Sequence, residues 1–153
     1  REGISREEAA AFIRRYFEKY EAVKRWRDEV VARTRRDGFA ETLLGRRRYI
    51  PDINSPNFNV RMAAERIAIN MPIQGTASDI IKIAMIRIDR ELEEKGFRSK
   101  MLLQVHDELI FEGPRGELDG LREMVLRIMP SSLQLDVPLK VDVKVGKNWA
   151  DME

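Results

Sequence analysis

The chain's one histidine, His106, stands in the run Gln104-Val105-His106-Asp107-Glu108-Leu109-Ile110-Phe111-Glu112. An imidazole and two carboxylates are adjacent there, bracketed by apolar residues. Residues 101–105 and 109–111 read as two short buried strands, so the polar triplet occupies a tight strand-to-strand turn. Such a turn pushes carboxylates out of an otherwise dry sheet, where they can hold a hard cation. The alternative is an ordinary hairpin turn, for which Asp is a favoured residue. The triplet alone does not decide between them.

A second constellation lies upstream. Arg66, Asn70 and Gln74 are spaced four residues apart, which aligns them on one face of a helix. Ile67, Ala68, Met71 and Ile73 around them are apolar, so this polar ladder borders a buried surface. Arg, Asn and Gln carry donors that suit adenine N3 and thymine O2, the acceptors of a DNA minor groove. A solvated or internally bonded helix face is the competing reading, and Pro72 perturbs the alignment of Gln74. Arg33, Arg35, Arg36, Arg46, Arg47 and Arg48 crowd the first third of the chain, although the net charge is only +2. A basic cluster beside turns marks phosphate contact or a merely solvated face.

Composition narrows the chemistry. At 153 residues and 43% hydrophobic, the chain can bury a core. No apolar run approaches the roughly 18 residues of a membrane span, and Arg1-Glu2-Gly3-Ile4 lacks the layout of a secretion signal. The expected location is cytoplasmic. The absence of cysteine excludes disulfides and thiolate metal sites, which leaves Asp and Glu as the metal candidates. A first residue other than Met, leading straight into a helix, suggests an internal piece of a larger protein.

The elements that must position these residues follow from pattern. Ser5 with Glu8 predicts a capping box, and Ala9, Phe12, Ile13, Tyr16, Phe17 and Tyr20 repeat at helical spacing as a core stripe. The apolar pattern continues through Val23, Trp26, Val30 and Val31 to about Arg36, where Gly38 supplies a stop. Residues 39–44 and 47–50 predict a small basic hairpin around Gly45-Arg46. The turn formers between Pro51 and Asn57 predict a subdomain boundary. A long helix is expected over 59–95, kinked or split at Pro72 and Gly75, with Ile81, Ala84, Met85, Ile88 and Leu92 as its core stripe. Leu118, Leu121, Val125 and Ile128 predict a further helix closed by Pro130. Leu139, Val141, Val143 and Val145 alternate with Lys140, Asp142 and Lys144, which predicts a final antiparallel strand with one wet face.

Three blocks, in this order, resemble the C-terminal part of a family A DNA polymerase of the bacterial DNA polymerase I type. They are Gly45-Arg46-Arg47-Arg48-Tyr49-Ile50-Pro51, then Arg66-Ile67-Ala68-Ile69-Asn70-Met71-Pro72-Ile73-Gln74-Gly75-Thr76-Ala77, and Gln104-Val105-His106-Asp107-Glu108. Any one is weak evidence, but their ordered combination is specific, and the resemblance covers essentially every residue. It implies an α+β fold, with an antiparallel palm sheet packed on helices (56–153) preceded by a mainly helical segment at the base of the fingers (1–55).

The resemblance also implies roles. Asp107 would be one of two aspartates binding a Mg²⁺ pair about 3.5 to 4 Å apart, Glu108 a supporting carboxylate, and His106 a neighbour of the primer terminus. Arg66, Asn70 and Gln74 would touch the minor-groove side of the new duplex. Arg48, and less directly Arg46 and Arg47, would bear on the DNA backbone. The implied partners are primer-template DNA, deoxynucleoside triphosphates and the remainder of the polymerase polypeptide, with no membrane and a nucleoid-associated location. The family's other metal-binding aspartate and its nucleotide-binding helix have no counterpart in this sequence, so the metal site would be completed by residues absent from it. A non-catalytic duplex-DNA-binding module and a structural partner completing another chain are the alternatives.

Overall fold

The computed structural model describes Gly3 and residues 5–152 of the chain. The fold is α+β, helices with two small antiparallel sheets, and it divides into two compact units, Arg1–Thr76 and Ala77–Glu153.

The first unit opens on the expected capping box. The Ser5 hydroxyl accepts the Glu8 N–H, and the Glu8 carboxylate accepts the Ser5 N–H, starting α1 (Arg6–Lys19). Tyr20 leaves helical geometry and breaks the run. After it α2 (Glu21–Asp37) continues to Gly38, whose φ of 79° closes the helix. The stripe expected as core is not core. Phe12 is 65% and Ile13 55% exposed, and Tyr16, Tyr20 and Val23 are exposed as well. The reason is a lack of neighbours: α2 is the main element packed on α1, and the rings turn to one another, with Tyr16 edge-on to Phe17 and tilted on Tyr20.

Next come β1 (Phe39–Glu41) and β2 (Arg47–Tyr49), an antiparallel hairpin shorter than the apolar pattern suggested. A 3₁₀ turn, Pro51–Asn54, follows and drives Ile53 into a core shared with Ala40, Ile50, Ala64 and Ala68. The turn-rich segment is therefore packed inside the first unit. Asn57 then caps α3 (Phe58–Asn70), its side-chain oxygen accepting the N–H groups of Asn59 and Val60.

Pro72 has no N–H to donate and its ring crowds the preceding turn, so the long helix splits. Met71–Gly75 forms a single π-helical turn before α4 (Thr76–Glu94). In the second unit Ile88 and Leu92 of α4 pack with Leu121, Met124, Val125 and Ile128 of α5 (Leu118–Ile128). Gly96, at φ 66°, ends the preceding helical run. Then β3 (Lys100–Val105) pairs antiparallel with β4 (Glu108–Glu112).

These strands are less buried than the sequence predicts. Met101, Leu109 and Phe111 pack on the core, but Leu102 and Leu103 are exposed. The pairing steps from Met101↔Phe111 to Leu103↔Ile110, so Leu102 is an extra residue that breaks the inside–outside alternation. The predicted final strand is also absent as a strand. Val141 and Val143 do pack on the core while Lys140, Asp142 and Lys144 stay exposed, yet among the described residues no neighbouring strand pairs with this segment. Alternation selects faces; a ladder needs a partner.

Candidate active site and nucleic-acid interface

Val105 and Glu108 form the closing pair of the β3–β4 hairpin, which leaves His106 and Asp107 as a two-residue loop. His106 has φ 54° and is the one non-glycine with positive φ among the described residues. Positive then negative φ is the sign pattern of a type II′ turn, whose first central position normally takes Gly. The Gln104 side-chain amide donates to the His106 carbonyl oxygen at 2.7 Å. His106, Asp107 and Glu108 are all exposed, and no hydrogen bond or ion pair engages their side chains among the described residues. An unpaired carboxylate on a tight turn suits a hard cation. It is one ligand, not a site: among the described residues no three acidic or imidazole groups converge where a metal could be held.

The start of β3 is tied down from below. Glu117 accepts the N–H groups of Arg98 and Ser99 and the Ser99 hydroxyl. The Ser99 hydroxyl, more than the backbone groups, holds the Glu117 carboxyl below the usual carboxylate range. Nothing in the local sequence pattern pairs these residues, which are separated in the chain by the β3–β4 hairpin.

Arg66, Asn70 and Gln74 belong to the first unit and are all exposed. None of their side chains has a partner among the described residues, so the internally bonded alternative is removed. The apolar bed beneath them is Ala68 with half-buried Ile67 and Met71, whereas Ile73 is exposed. Gln74 sits in the π turn, where a wider repeat shifts it from strict four-residue alignment with Asn70. Its position is set by packing that the sequence did not advertise. The Thr76 hydroxyl donates to the Pro72 carbonyl and accepts the Leu43 N–H at 3.1 Å. A Cβ on Gly75 would lie 2.5 Å from Thr42 Cγ2, so only glycine lets the β1–β2 loop rest on the π turn.

The same hairpin sorts the arginines. Arg47 is occupied: it pairs with Glu41 at 3.3 Å and stacks over the Phe39 ring. Arg35 pairs with Glu65, and Arg36 with Asp37. Arg46 also has a partner. Arg48, opposite buried Ala40, is exposed with no partner among the described residues, which leaves its guanidinium available to an outside anion.

The model of DNA polymerase family A matches residues 1–151. The chain belongs to this family. It is 52% identical over 147 residues to DNA polymerase I of Streptococcus pneumoniae, covering 96% of this chain and 17% of that protein. Against DNA polymerase I of Bacillus caldotenax it is 52% identical over 148 residues, 97% of the chain and 17% of the relative. The family A chain thus spans about a sixth of the length of these curated relatives. Among solved structures it is similar to the POL domain of Pol1 from M. smegmatis in complex with DNA primer-template and dNTP. That similarity has a TM-score of 0.93 at 48% identity, over 97% of this chain and 26% of the other.

The sequence reading assigned no role to Gln104, although it lies in the block quoted for His106 and Asp107. Thr42 and Thr76 likewise carry no local signal, and Gly75 reads only as a helix break, because their contacts join residues more than thirty positions apart.

Proposed function

We propose that the chain supplies part of the active site of a template-directed DNA polymerase, with residues 1–55 at the base of the fingers and 56–153 in the palm. Asp107 is the metal-binding carboxylate of this part. Glu108 supports it, and His106 adjoins the primer terminus. One observation carries the reading: in a family A chain, Asp107 stands exposed and unpaired at the apex of a two-residue turn. Bound there with further carboxylates from the remainder of the polypeptide, Mg²⁺ would activate the primer hydroxyl and offset charge building on the triphosphate. The chain's own residues do the positioning. Arg48 takes a backbone phosphate, giving affinity without sequence preference, and Arg66, Asn70 and Gln74 offer donors to groove acceptors common to all correctly paired steps. The substrates are primer-template DNA and deoxynucleoside triphosphates.

Asp107→Ala in the complete polymerase tests this. Single-turnover nucleotide addition should slow roughly a hundredfold or more, a barrier higher by about 3 kcal/mol or more, because the carboxylate acts through the metals. Primer-template affinity should be largely kept, since phosphate contacts lie elsewhere. Near-normal turnover at matched Mg²⁺ would sink the metal assignment and leave the duplex-binding module as the better reading.

A further inference from the structure

The His106–Asp107 turn uses a conformation that its first residue does not favour. Positive φ brings the Cβ of an L-residue against its own backbone, and glycine is the usual occupant. Histidine tolerates the region better than most side chains but gains nothing from it. Some contact must hold the turn there. We propose that Gln104 is a positioning residue for Asp107, its side-chain amide gripping the His106 carbonyl oxygen and so fixing the peptide plane from which Asp107 projects. This inference rests on the reading of Asp107 as the metal-binding carboxylate.

Three observations meet at this point. The hydrogen bond is short, 2.7 Å, and joins the strand to the loop across only two residues. The gripped carbonyl belongs to the peptide bond that links His106 to Asp107, so holding it constrains the direction in which the Asp107 side chain leaves the backbone. The bulge at Leu102 is what makes the grip possible. With Met101 opposite Phe111, an unbroken ladder would place Leu103 opposite Leu109 and leave a single residue between Val105 and its partner. The extra residue instead puts Gln104 opposite Leu109, makes Val105↔Glu108 the closing pair, and opens a two-residue loop. One insertion therefore sets both the turn length and the donor that stabilises it. Bulges commonly re-aim side chains in this manner beside active sites. The Gln104 side chain makes no second hydrogen bond among the described residues, and it is exposed, so packing does not account for it.

Two substitutions in the complete polymerase separate this from a packing or DNA-contact role. Gln104→Leu keeps the size and loses the donor. Gln104→Glu sets an acceptor against the carbonyl. Two quantities are read: amide hydrogen exchange across residues 105–109 in metal-free protein, and the Mg²⁺ concentration for half-maximal single-turnover addition. Both variants should speed exchange in the turn and raise the half-saturating Mg²⁺ several-fold, while primer-template affinity stays unchanged. In a His106→Gly background the backbone no longer resists the turn, so the added effect of Gln104→Leu on exchange should shrink markedly. Unchanged exchange, or an equal effect in both backgrounds, would overturn the proposal. An Asp107→Ala control distinguishes the two failures. Retained turnover there refutes the metal reading and the proposal with it, whereas a dead Asp107→Ala beside an unaffected Gln104→Leu refutes the positioning role alone.

Discussion

The two hairpins solve the same problem with different residues. In β1–β2 the loop is Leu43-Leu44-Gly45, the left-handed position is held by Gly45 at φ 80°, and the Thr42 hydroxyl accepts the N–H groups of Leu44 and Arg46. This is the usual three-residue loop with its glycine where geometry asks for one. In β3–β4 the left-handed position goes to His106, and the compensating contact comes from a strand side chain, Gln104. The first loop connects strands and rests on the π turn. The second presents an imidazole and a carboxylate to solvent. Strain kept at a loop whose side chains have no internal partners points toward use outside the fold.

After the Asp107 substitution, the largest effect expected from this contrast is on stability. Gly45→Ala meets no atom, yet must place a Cβ in the left-handed region, and should cost about 1 to 2 kcal/mol. His106→Gly relieves a similar strain while loosening the unfolded chain, so denaturant titration should show a change within about 1 kcal/mol. If the two substitutions destabilise equally, the hairpins do not differ in the way described.

A smaller effect concerns Gln74, which the first hairpin buttresses through Thr42 and Thr76. Losing one neutral hydrogen bond is worth roughly 0.5 to 1.5 kcal/mol, a several-fold change in rate. Gln74→Ala in the complete polymerase should slow extension from matched primer ends more than from mismatched ends, because only correct pairs present groove acceptors in register. An unchanged ratio of the two single-turnover rates would reduce Arg66, Asn70 and Gln74 to a solvated helix face.

The smallest expected effect separates neighbours on one strand. Arg48→Ala should weaken DNA binding evenly across sequences and lower the slope of log affinity against log salt by about one unit. Arg47→Ala should leave that slope alone, since its guanidinium is already taken up by Glu41 and Phe39. Equal slopes for both variants would mean that the internal pairing of Arg47 does not keep it off the DNA.

Much of this molecule is local and was legible as such. The Ser5–Glu8 cap, the Gly38 stop, the Gly45 loop, the break at Pro72 and the stripe of buried Ile81, Ala84, Ile88 and Leu92 with half-buried Met85 each depend on residues within a turn or two of one another. The three ordered blocks likewise identify the family, and the turn expected over His106-Asp107-Glu108 forms at His106 and Asp107, with Glu108 the first residue of β4.

Other features depended on what lies across the fold. Apolar spacing on α1 marked a face as fit for burial, but burial needs a surface to meet, and Phe12 and Ile13 stay open. Alternation from Leu139 to Val145 chose Val141 and Val143 correctly as inward but not Val145, which is exposed, and hydrogen-bond pairing belongs to two segments, so one segment cannot declare it. The bulge at Leu102 is invisible in a run of apolar residues because it is a relation between Met101, Leu103 and the strand opposite. A sequence records the periodicity, caps and permissive glycines of each segment directly, since these act over a few bonds. Which of those segments find a partner, and so which side chains remain free for DNA or metal, is settled only by contacts between residues far apart in the chain.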